Sequence, residues 1–189
     1  MQTSPSSLRA QILIAMPTLY DSNFTKTLTL ICDHSPEHGA MGIILNQPTT
    51  LNIFELLNMQ APENEDESLC SIRIHSGGPV DTDHGFILHD SHAEYDSTIQ
   101  VTENLFLTSS TDILDDIANG VGPNNRLIVL GYAGWSPGQL ETEISTNSWL
   151  TINYQQDLVF STPAEKQWLA AGNLLGIDLN LMSSQPGHA

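Results

Sequence analysis

The sequence predicts a single α+β domain, a mixed β-sheet surrounded by helices, and three observations predict it. A chain of 189 residues with 40% hydrophobic content can bury one sizeable core. Many of its apolar residues fall in short runs rich in branched side chains and stopped at proline or glycine, which is how strands read. Between these runs lie segments carrying helix caps, and the two kinds mix without strict alternation. The domain is placed at residues 10–180, between a frayed tail at 1–9 and a polar tail at 181–189.

Along the chain, QILIAMP (11–17) reads as a short buried strand stopped by Pro17. FTKTLTLICDH (24–34) and GAMGIILNQP (39–48) read as the next two strands. TTLNIFELLNM (49–59) has apolar positions at Ile53, Phe54 and Leu57 and reads as a short helix, and the acidic QAPENEDESLCS (60–71) as an exposed loop. IRIHSGGPVDTDHGFILHD (72–90) reads as strand, Gly-Gly-Pro turn, strand, and residues 97–110 alternate as a strand does.

STDILDDIANG (110–120) reads as a helix capped by Ser110 and closed by Gly120. RLIVLGYAGW (126–135) is a continuous apolar run and reads as a central strand, followed by a helix over about 137–148. WLTINYQQDLVFS (149–161) reads as strand or hairpin. TPAEKQWLAAGNLLG (162–176) reads as a helix with a Thr162–Glu165 capping box, Pro163 in its first turn and Gly176 at its end. Ala164, Trp168, Ala171 and Leu175 share its core face.

Charge narrows the function. There are 22 Asp and Glu against 5 Lys and Arg, a net charge of −17. The basic residues Arg9, Lys26, Arg73, Arg126 and Lys166 are scattered, with no basic run to neutralise phosphates, so direct nucleic-acid binding is not expected. No apolar run approaches the roughly 20 residues that span a bilayer. The N-terminus lacks the pattern of a signal peptide. Two cysteines, Cys32 and Cys70, are too few for a disulfide framework. A reduced, cytoplasmic protein is the expectation.

Gly134-Trp135-Ser136-Pro137-Gly138 fits G-x-S-x-G, the serine-hydrolase nucleophile elbow, between a strand and a helix pattern. The elbow needs a backbone N–H directly after the serine, and Pro137 has none. The only histidine after Ser136 is His188, in the polar tail. The same residues explain a helix start: Ser136 as N-cap, Pro137 as first residue and Gln139 closing a capping box worth on the order of 1 kcal/mol.

The other polar groupings read as structure before chemistry. CDHSPEHG (32–39) offers Asp33, His34, Glu37 and His38, but Pro36 and Gly39 make it a turn in which no metal-ligand spacing is imposed. His84 and His89 fall on opposite faces of a strand. Cys32 sits in an apolar pattern and reads as core. No metal and no cofactor is expected.

Several stretches, taken together, resemble the AlgH/YqgE family of bacterial proteins: LIAMP (13–17), HGAMGIILNQP (38–48), GGPVDTDHGFILH (77–89), GVGPNNRLIVLGYAGWSPGQLETEI (120–144), NSWL (147–150) and LVFSTPAEKQW (158–168). They follow one another in order over nearly the whole chain. The resemblance implies a mixed, partly barrel-like sheet surrounded by helices, in a bacterial cytosolic protein. It implies no catalytic residues and no settled activity, although members are often labelled transcriptional regulators, a label at odds with the acidity here. The family's N-K-P turn carries Gln47 in place of its lysine.

The leading expectation is a regulatory or binding protein acting through a protein partner or a small ligand. Its functional surface is placed at Gly77, Gly78, Pro79, Tyr132 and Trp135, with Ser136 and Gln139 as a helix cap. The alternatives are a hydrolase using His75, Asp83 or His84 near the Gly-Gly-Pro turn, and a DNA-binding regulator.

Overall fold

The computed structural model describes residues 7–56 and 72–183. In chain order its elements are β1 (Gln11–Ala15), β2 (Leu28–Ser35), β3 (Gly39–Ile44), β4 (Pro48–Asn52), α1 (Ile53–Leu56), β5 (Arg73–Ser76) and β6 (Val80–His89). There follow β7 (Thr98–Thr102), β8 (Leu105–Thr108), α2 (Asp112–Ala118), β9 (Arg126–Trp135), α3 (Gln139–Ser145), β10 (Trp149–Asn153), α4 (Gln156–Phe160) and α5 (Ala164–Leu174). A short 3-10 helix, Leu181–Ser183, comes last. No helix among the described residues is long and apolar enough to cross a membrane.

The strands form one sheet in the order β10-β1-β2-β3-β9-β6-β8-β7, with β5 pairing β9 and β4 pairing β5. Only the β5–β9 pairing is parallel, so the sheet is mixed, though mainly antiparallel. It curls enough to bring β7 against β2, but no pairing joins its ends at β10 and β7. The barrel-like expectation is corrected to an open, curled sheet.

Burial explains why the strands read as apolar runs. Side chains alternate between the faces of a strand, and here both faces are covered. Ile12, Ile14, Leu30, Leu88 and Val129 enter a large core that α4 and α5 close with Leu158, Trp168 and Ala171. Their strand neighbours point the other way. Leu13, Ala15 and Ile31 meet Leu140 of α3. Ile87 and Ile128 meet Ile113 and Ile117 of α2. Trp168 also donates its indole N–H to the Ala15 carbonyl at 2.9 Å, fixing α5 to β1.

Several expected elements differ in detail. Residues 48–52 are a strand, leaving only Ile53–Leu56 for the helix among the described residues; residues 57–71, including the predicted loop, lie outside them. Residues 97–110 contain a hairpin, β7 and β8. Residues 156–160 are helical, not extended. In α5, Pro163 holds the N-cap position with no side-chain cap, because the Thr162 hydroxyl donates to the Asp157 carbonyl at 3.0 Å. The buried face of α5 is Gln167, Trp168, Ala171 and Gly172, and Leu175 is exposed. Its end matches the expectation: Gly176 N–H reaches the Asn173 carbonyl and Ile177 N–H the Gly172 carbonyl, a Schellman closure. In α2, Thr111 and not Ser110 is the N-cap, since Ser110 hydrogen bonds the Asp96 carbonyl and the Asp112 carboxylate.

Leu8, which the sequence places in the tail, is tied down. Its N–H donates to Nδ1 of His34 at 3.1 Å, and the other ring nitrogen of His34 meets Glu141 Oε1 at 2.7 Å. With Nδ1 accepting, the Nε2 proton donates to Glu141. The Glu141 backbone N–H and this ring hold its carboxyl below the ordinary range. One buried histidine thereby joins the N-terminal segment, β2 and α3.

Candidate functional site

Ten residues of β9 serve two neighbourhoods. Its first part lies between β5 and β6, and Ala133–Trp135 pairs β3 instead. The change of neighbours occurs at Gly131, which has φ +75. The Gly-Gly-Pro turn crosses β9 at this point. Gly77 donates its N–H to the Leu130 carbonyl at 2.7 Å and accepts from the Ile44 N–H at 2.8 Å, bridging β9 to β3. A Cβ on Gly77 would lie 2.2 Å from the Gly131 oxygen, and one on Gly131 would lie 2.6 Å from the Gly78 oxygen. The Gly-Gly-Pro turn and Gly131 of β9 therefore meet in a single crossing that only glycine fits.

After the crossing, β6 leaves β9. Val80 pairs Tyr132, and pairing resumes only at Gly85 with Leu130, so β6 carries extra residues over that stretch. This is a large bulge of residues 81–84 opposite Gly131, and Val80–His84 are all exposed. Asp81 takes φ +47, unusual outside glycine. Pro79, Asp81, Thr82, Asp83 and His84 line an open hollow of about 540 Å³. His84 packs on Phe86 at 4.8 Å between ring centres, and Phe86 meets Tyr132 edge-on at 6.0 Å.

The five residues expected to form one surface are divided by this geometry. Gly77 and Gly78 are buried beneath it. Pro79 lines the first hollow, whereas Tyr132 and Trp135 line another, of about 440 Å³. Trp135 is 6% exposed and packs with Trp149 and Phe24. Glu143 Oε2 accepts both indole N–H groups, at 2.9 Å from Trp135 and 2.8 Å from Trp149.

The Ser136 cap is corrected. Gly138 holds the N-cap position of α3 in a left-handed conformation, φ +75, ψ −6, with no side-chain cap. Gln139 N–H donates to the Ser136 carbonyl at 3.0 Å. Ser136-Pro137-Gly138-Gln139 is thus a type II turn, with proline and glycine at the positions that turn selects. Half of the capping box survives: Gln139 Oε1 accepts the Ser136 N–H at 3.0 Å.

Ser136 shares its hollow with Asp33 and His38. Sequence order hid this grouping, because the acid and the histidine precede the serine. Among the described residues no hydrogen bond joins the three, and Pro137 supplies no oxyanion donor. The hydrolase set near the Gly-Gly-Pro turn is dispersed as well. Asp83 and His84 line the first hollow, while His75 lines a third of about 330 Å³ with Arg73 and Arg126. His75 Nδ1 donates to the Leu45 carbonyl at 2.8 Å, and burial pushes the ring's pKa below 6.5.

His89 is buried, with Nε2 2.8 Å from Thr108 Oγ1, and burial lowers its pKa too. His84 is exposed, so the two histidines do face differently. Buried Cys32 has its thiol pushed up to about 12 by desolvation, as suits a core residue. Among the described residues no group of three His, Cys, Asp or Glu side chains is placed to hold a metal. Gln47, standing where the resemblance has lysine, donates to the Asn23 carbonyl at 2.9 Å and so braces the turn before β4. Cys70 and His188 lie outside the described residues.

The AlgH-like family model matches residues 12–180, which include the crossing, the bulged arm and all three hollows. The chain belongs to the AlgH-like family. Similar AlgH-like chains are described as UPF0301 proteins. One from Pseudomonas fluorescens is 47% identical over 98% of both chains, and one from Saccharophagus degradans is 48% identical over 97% of this chain and 89% of its own. The solution structure of the AlgH protein from Pseudomonas aeruginosa is 43% identical, with a TM-score of 0.77 and full coverage of both chains. A crystal structure from Corynebacterium diphtheriae, at 18% identity, has a TM-score of 0.73 over 98% of this chain and 95% of its own, and shares the fold.

Proposed function

We propose that this protein is a regulatory binding protein of the bacterial cytoplasm that docks a protein partner on the arm Pro79–His84. The observation that carries the reading is the arm itself: five consecutive exposed residues, Val80–His84, of which those after Val80 bulge out of the pairing with β9 while Thr82 passes over Gly131. Residues that leave a ladder can turn backbone N–H and C=O groups toward an incoming chain, the mode of β-strand addition. Asp81 and Asp83 add two carboxylates and favour a partner with basic residues opposite them. A hydrolase reading has less support, because no serine, histidine and acid are hydrogen bonded together among the described residues. A DNA-binding reading meets the −17 charge.

A photo-crosslinking residue at Thr82, compared in the native cell with one at exposed Leu174, tests this. A discrete protein adduct from position 82, absent from position 174 and lost when Asp81 and Asp83 are both changed to Lys, is expected. Equal labelling at the two positions, or none at 82, removes the reading.

A further inference from the structure

We propose that the ends of β5 and β9 where both strands begin form a binding site for a small phosphorylated molecule, held between Arg73 and Arg126. The site stands apart from the Pro79–His84 arm and does not depend on it. Arg73 and Arg126 line one hollow of about 330 Å³ together with His75 and Asn124, over apolar Ile72 and Leu127. The chain has only 5 Lys and Arg among 22 Asp and Glu, so two guanidinium groups at one hollow is a marked concentration of positive charge.

Neither arginine is in an ion pair among the described residues. Among the described residues the only ion pair is His34 with Glu141. In so acidic a chain a carboxylate beside an arginine is the easy arrangement, yet no carboxylate of the described residues pairs with either. Arg126 is half-buried, and one of its terminal N–H groups donates to the Pro123 carbonyl. Its Nε is shut off from solvent with no hydrogen-bond partner. The Nε is therefore out of a ligand's reach, and the terminal N–H groups not given to Pro123 are what an anion in the hollow would meet. The guanidinium fork matches phosphate oxygens two at a time.

Register places the two arginines on opposite faces of the pair, so each approaches the shared hollow from its own side. β5 and β9 run parallel with Ile74 beside Ile128. Arg73 therefore falls beside Leu127 on one face of the pair, and Arg126 beside Ile72 on the other. At the strand ends the two faces meet in the hollow, so an anion seated there is reached from both sides. His75 adds an acceptor. Its Nδ1–H is committed to the Leu45 carbonyl, which leaves Nε2 of the neutral ring a lone pair for a ligand hydroxyl. The volume is at the lower end for small-molecule sites, and the surrounding negative charge opposes long polyanions more than a compact one.

The test is an NMR titration of the full chain, reading the arginine Nε–H signals and backbone amides. Inorganic phosphate and then phenyl phosphate are added at constant ionic strength. Saturable shifts at Arg73, Asn124 and Arg126 are expected, with phenyl phosphate the tighter binder. Arg126→Gln and Arg73→Gln are each expected to weaken binding at least tenfold. Arg73 is exposed, so its replacement leaves the fold intact even if Arg126→Gln does not. Shifts that chloride reproduces, undiminished affinity in Arg73→Gln, or benzoate binding as tightly as phenyl phosphate would each overturn the proposal. So would a short oligonucleotide binding more tightly than phenyl phosphate.

Discussion

Gly77 and Gly131 meet where two strands cross, and neither has room for a side chain: a Cβ on Gly77 would sit 2.2 Å from the Gly131 oxygen. The contact holds β3, β5 and β9 in one arrangement through the two hydrogen bonds of Gly77. It also sets where β6 departs as the exposed arm.

Gly131→Ala is expected to lose more than about 2 kcal/mol of stability, since it adds a backbone clash to a left-handed φ. Gly138→Ala is the control. Gly138 has the same φ of +75 but open space around its missing Cβ, so only the conformational cost, about 1 kcal/mol, remains. Urea unfolding of the two variants beside the parent measures the difference. Equal losses would show that the crossing has slack.

Ser136→Ala is expected to change stability by less than about 0.5 kcal/mol, because the serine hydroxyl caps nothing in α3. Gln139→Ala is expected to cost about 1 kcal/mol, losing the bond from the Ser136 N–H and the one its amide donates to Glu143. A reversed order would restore the conventional cap. Incubation with a fluorophosphonate should leave Ser136 unmodified; stoichiometric labelling would revive the nucleophile.

His75 and His89 have pKa values pushed below 6.5 by burial. The unfolded chain therefore binds protons at a higher pH than the folded one. The resulting stability is fully present above about pH 6.5 and is lost as pH falls from there toward the folded values. Unfolding free energy should thus drop from pH 7 to pH 5. His89→Phe should flatten part of that slope, whatever its effect at pH 7. An unchanged slope in the variant would mean that His89 titrates normally.

What could be seen in the sequence follows from how local its cause is. β9 was legible to the residue, because burial on both faces makes an unbroken apolar run. The turn after Leu175 was legible because a Schellman closure involves only a few adjacent residues. QDLVF was misread as extended because its branched and aromatic side chains suit a strand. It is helical because Leu158 and Val159 must reach the main core beside α5. PTTLN was misread because its partner, β5, lies across residues 57–71, and nothing in its own polar sequence shows that pairing. The candidate sites were the least visible. Gly77 looks like part of an ordinary tight turn, Gly131 like one more residue of a strand, and Arg73 and Arg126 like scattered surface cations. Their meeting is a product of topology.

The sharing of β9 between two neighbourhoods has a consequence for unfolding. Neither half owns a complete set of strands, so neither can melt and leave the other standing. Slowest amide exchange should fall along Ile128–Ala133, and a cut within β9 should cost both halves their structure at once.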